Sequence, residues 1–261
     1  MDLIIRADDF GFSSAVNAGA IDALKSGLVK SIGLLINMPG TLEAVRLIRD
    51  FPDVALGLHA NLVVGSPISN PLEIPTLVQS DGRFITSKTY RQKLKNQEKI
   101  YTNQANIKKE LEAQIHRFFE LTGKLPDYID THAVGTSELF SVVATLASKY
   151  KLPFLAHDPK FNTNIKNDPK RLSSSSQFYM SGGLPERYID FLGHEILKST
   201  NDISYIVVHP GYLDDLVMKL SSFTTIRTND VTMLTNIRTK SWIETHDIKL
   251  VSHRTLVGEL E

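Results

Sequence analysis

The chain has 261 residues, enough for one barrel-sized domain, and its 42% hydrophobic content is ordinary for a folded core. Lys+Arg and Asp+Glu stand at 29 each, a formal net charge of +0, which argues against general nucleic-acid or membrane-surface binding, since both rest on a basic excess. With no cysteine, disulfides, thiolate zinc sites and cysteine nucleophiles are excluded, and any metal must be held by histidine and carboxylate.

The first residues lack the basic, apolar, small-residue succession of a secretory leader. No apolar run approaches the roughly 20 residues that span a bilayer, so a cytoplasmic location is expected. Residues 3–7 read as a buried strand running into Asp8-Asp9-Phe10-Gly11. Ser13 or Ser14 can cap a helix through Val16, Ala20, Ile21 and Leu24, with Gly27 as its stop. Residues 30–37 form a second strand, Thr41 caps a helix carrying Leu42, Val45 and Ile48, and residues 54–58 form a third strand. This alternation with short connections predicts a parallel sheet with helical crossovers.

Residues 65 to about 100 break the alternation with Pro67, Pro71, Pro75, an Asp81-Gly82 turn and a basic run. They read as an inserted loop with a short hairpin or helix over the barrel mouth. Residues 105–122 return to helix period, with Ile107, Leu111, Ile115 and Phe118 on one face. A strand at 128–130 and a helix at 138–150 follow, then a polar loop at Ser173-Ser174-Ser175-Ser176. Residues 185–199 are helical, 203–208 a strand, 231–239 a short helix and 248–251 a last strand.

Polar, metal-capable residues stand where these strands end. Adjacent aspartates point to opposite sides if strand geometry persists through both, so Asp8 and Asp9 can take separate roles; either could instead cap the next helix. His59, His132 and His209 each follow an apolar run. Two histidines with one carboxylate leave coordination positions open for water and substrate. Asp130, two residues before His132, could orient a group behind the ligands. His209-Pro210-Gly211-Tyr212 is either a turn with an incidental histidine or a general acid held at a strand end. His116, His157, His194, His246 and His253 carry no such pattern.

Ala-Asp-Asp-Phe-Gly at 7–11, Gly-Leu-His-Ala-Asn-Leu at 57–62, Asp-Thr-His at 130–132 and His-Pro-Gly-Tyr at 209–212 resemble, in order and over nearly the whole chain, the four signatures of the YdjC-like carbohydrate deacetylases, chitooligosaccharide deacetylases among them. Asn17, Gly19, Gly27 and residues 29–39 resemble that family as well. The resemblance implies a distorted (β/α) TIM-like barrel in a single domain. It further implies a divalent metal, usually magnesium, on Asp9, His59 and His132, with Asp8 as base and His209 as acid. It gives Asp230 as an acidic neighbour of His209, an acetylated mono- or oligosaccharide as substrate, and a homodimer.

Two departures stand out. Ala133-Val134-Gly135-Thr136 occupies a stretch where the family often has further histidines, and Arg6 stands where a small residue is common. The expected chemistry is metal-assisted removal of an N-acetyl group. On softness grounds imidazole ligands are expected to suit zinc, iron or manganese better than magnesium. Two other readings stay open. One is a glycoside hydrolase using Asp8 and Asp130, which needs carboxylates about 5 to 9.5 Å apart and leaves His59 and His132 without a role. The other is a catalytically silent sugar-binding protein, kept open by the departure after His132. Arg83, Lys88, Arg91 and Lys93 could meet an anionic sugar or form a solvated charged face.

Overall fold

The structure is a computed structural model that describes residues 1–166 and 168–257. In chain order it contains β1 (Asp2–Phe10), α1 (Ser14–Lys25), β2 (Ser31–Leu34), α2 (Thr41–Leu47), β3 (Ala55–Ala60), α3 (Ser87–Lys95) and α4 (Gln104–Thr122). Then come β4 (Ile129–Thr131), α5 (Ser137–Tyr150), β5 (Lys170–Arg171), α6 (Ser175–Met180), α7 (Tyr188–Leu197), β6 (Ile203–Val208), α8 (Asp215–Leu220), α9 (Thr225–Thr235), α10 (Ile237–Thr245) and β7 (Lys249–Leu250). The strand order is β4-β3-β2-β1-β6-β5, with β7 also on β1. All the strand ladders described below are parallel, as the β/α alternation predicts. No helix among the described residues is long and apolar enough to cross a membrane.

The chain divides into two compact units, Met1–Leu34 with Pro39–Leu56 and Lys166–Glu261, and Leu35–Met38 with Gly57–Ile165. In the first, β1 is buried from Leu3 to Phe10, as in a strand covered on both faces, with charged Arg6, Asp8 and Asp9 among its apolar residues. Its register with β6 pairs Asp2 with Ile203 through Ala7 with Val208. β1 also pairs with β2, where the register shifts between Ala7 and Phe10. Ser13 caps α1 through Val16 N–H, and α1 packs on α9. In the second unit β3 pairs with β4, Leu58 opposite Ile129 and His59 opposite Asp130. α4 packs on α5, and Ile107, Leu111, Ile115 and Phe118 are all buried. Between β3 and α4 lie a 3-10 turn at Pro71–Glu73, an antiparallel bridge from Val78 to Phe84, and α3.

Several local expectations change. The residue before α2 is Gly40, so Thr41 is its first helical residue and not its cap. The serine run is not all loop: Ser174 stands at the N-cap position of α6 with extended backbone and no side-chain capping bond, and Ser175 opens the helix. The short helix expected at 231–239 is two helices, α9 and α10. They part at Asn236, whose backbone is extended and whose side chain accepts from Arg238 N–H. β5 and α8 have no counterpart in the sequence pattern; at two and six residues they are too short to show a period.

One close approach fixes a strand-end turn. A Cβ placed on Gly19 of α1 would lie 2.5 Å from Gly211 Cα, and Tyr212 N–H donates to Ala15 O at 3.0 Å. The turn after β6 therefore lies directly on α1, and only glycine permits it. Gly19→Ala is expected to lower stability by about 1–3 kcal/mol, the usual cost of overpacking a tight contact, and to move His209-Pro210-Gly211. Urea denaturation and the change in His209 ring NMR shifts check this; wild-type stability with unmoved shifts contradicts it.

Candidate active site

In the first unit the chain leaves β1 through a local irregularity. Asp9 has φ 70 and Gly11 φ 90. Simple strand alternation thus does not persist through Asp8 and Asp9, and a left-handed residue re-aims the second carboxylate instead. Asp tolerates that conformation better than most residues, though at some cost in strain. Asp8 and Asp9 are 3% and 2% exposed. Two adjacent buried carboxylates need separate cations. Arg6 Nε and Nη2 reach Asp8 Oδ1 and Oδ2, each at 2.9 Å, a bidentate pair. Arg227 Nη2 reaches Asp9 Oδ2 at 2.7 Å.

Arg227 is wholly buried on α9. Its Nε donates to Phe223 O at 2.9 Å, and its guanidinium lies 5.4 Å from the Phe12 ring centroid. Sequence reasoning missed it. The signal was present: Arg227, Asp230, Val231 and Leu234 follow an i, i+3, i+4, i+7 stripe, and all four are buried.

His209 directly follows β6. Continued by one step, the β1–β6 register sets it beside Asp8. Asp230 does meet His209, as expected, but through the backbone: its Oδ2 accepts His209 N–H at 2.7 Å. A strand end leaves that N–H without a ladder partner, and the carboxylate supplies one. The His209 ring stands edge-on to Phe223, with centroids 4.9 Å apart. Burial pushes the Asp230 carboxyl up to about 6, while the His209 N–H bond and nearby Arg227 pull it down.

In the second unit His59 and Asp130 are register partners on neighbouring strands, so their side chains share a face. His59 Nδ1 lies 2.9 Å from Asp130 Oδ1. A carboxylate accepts, so the proton sits on Nδ1 and the lone pair on Nε2. His59 Nε2 lies 3.1 Å from His132 Nδ1, and the rings meet at 80°. Two nitrogen donors about 2.1 Å from one ion stand roughly 3.0 Å apart at a right angle and roughly 3.4 Å at the tetrahedral angle. The pair thus has the spacing of neighbouring ligands on a single divalent ion, with Asp130 setting the tautomer behind one of them. Beyond His132, Ala133 takes φ 63, so the first of the departing residues turns the chain away in a conformation rare for alanine. Gly57 leaves room for Tyr128: a Cβ there would sit 2.3 Å from the ring.

A model of the family described as YdjC-like protein matches residues 2–245. Carbohydrate deacetylase 2 of Listeria innocua is 32% identical over 98% of this chain and 99% of its own. The carbohydrate deacetylase of Halalkalibacterium halodurans is 33% identical over 91% and 97%. A crystal structure from Enterococcus faecalis, assigned provisionally to cellobiose-phosphate cleavage, superposes with a TM-score of 0.83 at 29% identity, covering 98% of this chain and 99% of that one. A peptidoglycan N-acetylglucosamine deacetylase superposes at 0.52 and 12% identity over 98% and 87%, a likeness of fold alone.

Two outcomes test the buried charges. Arg227→Met is expected to cost about 3–5 kcal/mol in urea denaturation, the usual result of stranding a buried carboxylate, and adding Asp9→Asn recovers part of it. A loss below about 1 kcal/mol would show that Asp9 does not depend on that pair. Asp230 gives the second. Its folded carboxyl, raised to about 6 from its ordinary 3.8, keeps a proton that the unfolded chain releases. Stability therefore falls as pH rises through that window. Asp230→Asn removes that part of the slope, which the difference between wild-type and variant stability from pH 4 to 7 reads directly.

Proposed function

The chain belongs to the YdjC-like protein family, and we propose that it is a metal-dependent carbohydrate deacetylase that hydrolyses the N-acetyl group of an acetylated sugar. The observation that carries the reading is the His59–His132 pair at 3.1 Å, backed by Asp130. The names of relatives aligned over nearly all of both chains support the substrate class. Following the resemblance, we assign Asp9, His59 and His132 as the ligands of one divalent ion. A bound ion would polarise the acetyl carbonyl and lower the pKa of water. The resemblance implies magnesium, whereas the two imidazole donors fit zinc better; activity restored by magnesium, manganese or zinc to the stripped protein decides between them.

The protein groups divide the remaining work. Asp8, oriented by the two bonds from Arg6, is the base that takes a proton from the attacking water. A carboxylate oxygen offers two lone-pair directions, so a guanidinium bond on each does not exhaust its capacity. His209, with its backbone held by Asp230 and its ring against Phe223, is the acid that protonates the departing amine. No covalent intermediate is required. In the glycosidase reading Asp130 would act on the substrate, but here it is engaged with His59.

The test is acetate release from a panel of N-acetylated sugars, with and without a chelator. Asp8→Asn is expected to lower turnover by about two to four orders of magnitude, the scale of general-base loss, with metal affinity retained. His59→Ala weakens metal binding itself. Reducing-end release without acetate favours the glycosidase reading. Sugar binding with no reaction under any metal favours the silent one.

A further inference from the structure

α4 carries a second stripe beside its apolar face. Asn106, Glu110 and Gln114 recur every four residues, and all three are buried. Buried polar side chains inside a helix need partners, and each of these finds them outside α4. Asn106 Nδ2 donates to Glu73 O at 2.9 Å. Glu110 accepts the backbone N–H of Ile68 on Oε1 at 3.0 Å and that of Ser69 on Oε2 at 2.8 Å. These bonds hold the first part of the segment between β3 and α4.

Gln114 does something different. Its Oε1 accepts Asn61 N–H at 3.1 Å, and its Nε2 donates to Asn61 O at 2.7 Å. One primary amide thus binds both polar groups of one residue's backbone, as a neighbouring strand would. It does so where β3 has just ended, at Ala60. The second Nε2 proton goes to Glu110 Oε1 at 2.8 Å, which fixes the orientation of the amide, because a carboxylate only accepts.

The gripped residue lies two beyond His59. On the β4 side the intervening Ala60 O accepts His132 N–H at 2.9 Å. The chain leaving His59 is therefore tied to the His132 segment at one residue and to Gln114 at the next. Asn61 then spends its own side chain on the following turn. Its Oδ1 accepts from Val63 and Val64 N–H, and its Nδ2 donates to Val64 O and Asn37 Oδ1.

We propose that Gln114 is a positioning residue that sets the spacing of His59 against His132, and that Glu110 couples this clamp to the inserted segment. The inference rests on the metal reading above. Nothing in the catalytic assignment uses either residue. Apolar residues at these positions would leave the backbone groups of Ile68, Ser69 and Asn61 without these partners, so metal affinity and the Asn61 amide, and not stability alone, separate a positioning role from a structural one.

The experiment measures Co²⁺ and Zn²⁺ affinity by competition with a chromogenic chelator in the full chain, for wild type, Gln114→Met, Glu110→Gln and His59→Ala, alongside hydrogen exchange of the Asn61 amide. Q114M is expected to weaken metal binding by about tenfold or more, the scale seen when groups supporting a ligand are removed, while Asn61 loses protection. E110Q keeps the clamp but removes its carboxylate acceptor. It shifts affinity the same way by a smaller factor and raises KM for the sugar more than it lowers kcat, and it serves alone should Q114M not fold. Metal affinity within twofold of wild type in both variants, with H59A weakened, overturns the clamp and leaves the metal reading intact. Wild-type affinity in H59A overturns the metal reading, and the positioning role with it.

Discussion

Two aspartates cannot lie side by side in a protein interior as bare charges. Asp8 and Asp9 are adjacent in sequence and almost without solvent, and desolvation with mutual repulsion would protonate one of them or open the strand end. The fold answers with two arginines from different places. Arg6 reaches forward along the same strand and grips Asp8 with both arms. Arg227 comes from α9, more than two hundred residues later, and takes one oxygen of Asp9. Much else follows from this requirement. α9 must pack against α1 beside β1, and its buried stripe must admit a guanidinium and, three residues on, the Asp230 carboxylate that receives His209 N–H.

The histidine pair has its own support, from one carboxylate, a strand contact and an amide. His59 is oriented through Asp130, its strand is tied to His132 through Ala60, and the peptide beyond is gripped by Gln114. Each of these bonds ends on a backbone group or on the ring nitrogen away from His132. The facing nitrogens, His59 Nε2 and His132 Nδ1, are thereby brought to 3.1 Å.

Glycine marks the places where the arrangement tolerates no side chain. Gly19 lets the turn carrying His209 rest on α1, and Gly57 lets the Tyr128 ring lie over β3. Two of the non-glycine residues with positive φ, Asp9 and Ala133, flank candidate side chains, one within the aspartate pair and one just past His132. Strain of that kind is kept where surrounding contacts over-determine it, and both positions lie beside side chains proposed to do chemistry.

The strands were legible because period and burial agree there: β6 appears at the residues its apolar run predicts, and β1, β3 and β4 within two or three at each end. The candidate residues were legible because each stands directly after such a run, where chain order alone puts a polar group at a strand end. Sequence therefore determined the α/β alternation, the strand-end carboxylates and histidines, and the absence of any thiol chemistry. It could not show partnership. That Arg6 grips Asp8, that Arg227 neutralises Asp9, that Asp230 receives a backbone N–H and not a ring, and that Gln114 replaces a missing strand are all decided by which buried group lies nearest once the helices have packed. Local pattern reports which face of a helix is covered. A buried polar residue on that face finds its partner only in three dimensions, since the requirement it meets is one of distance and desolvation rather than of sequence period.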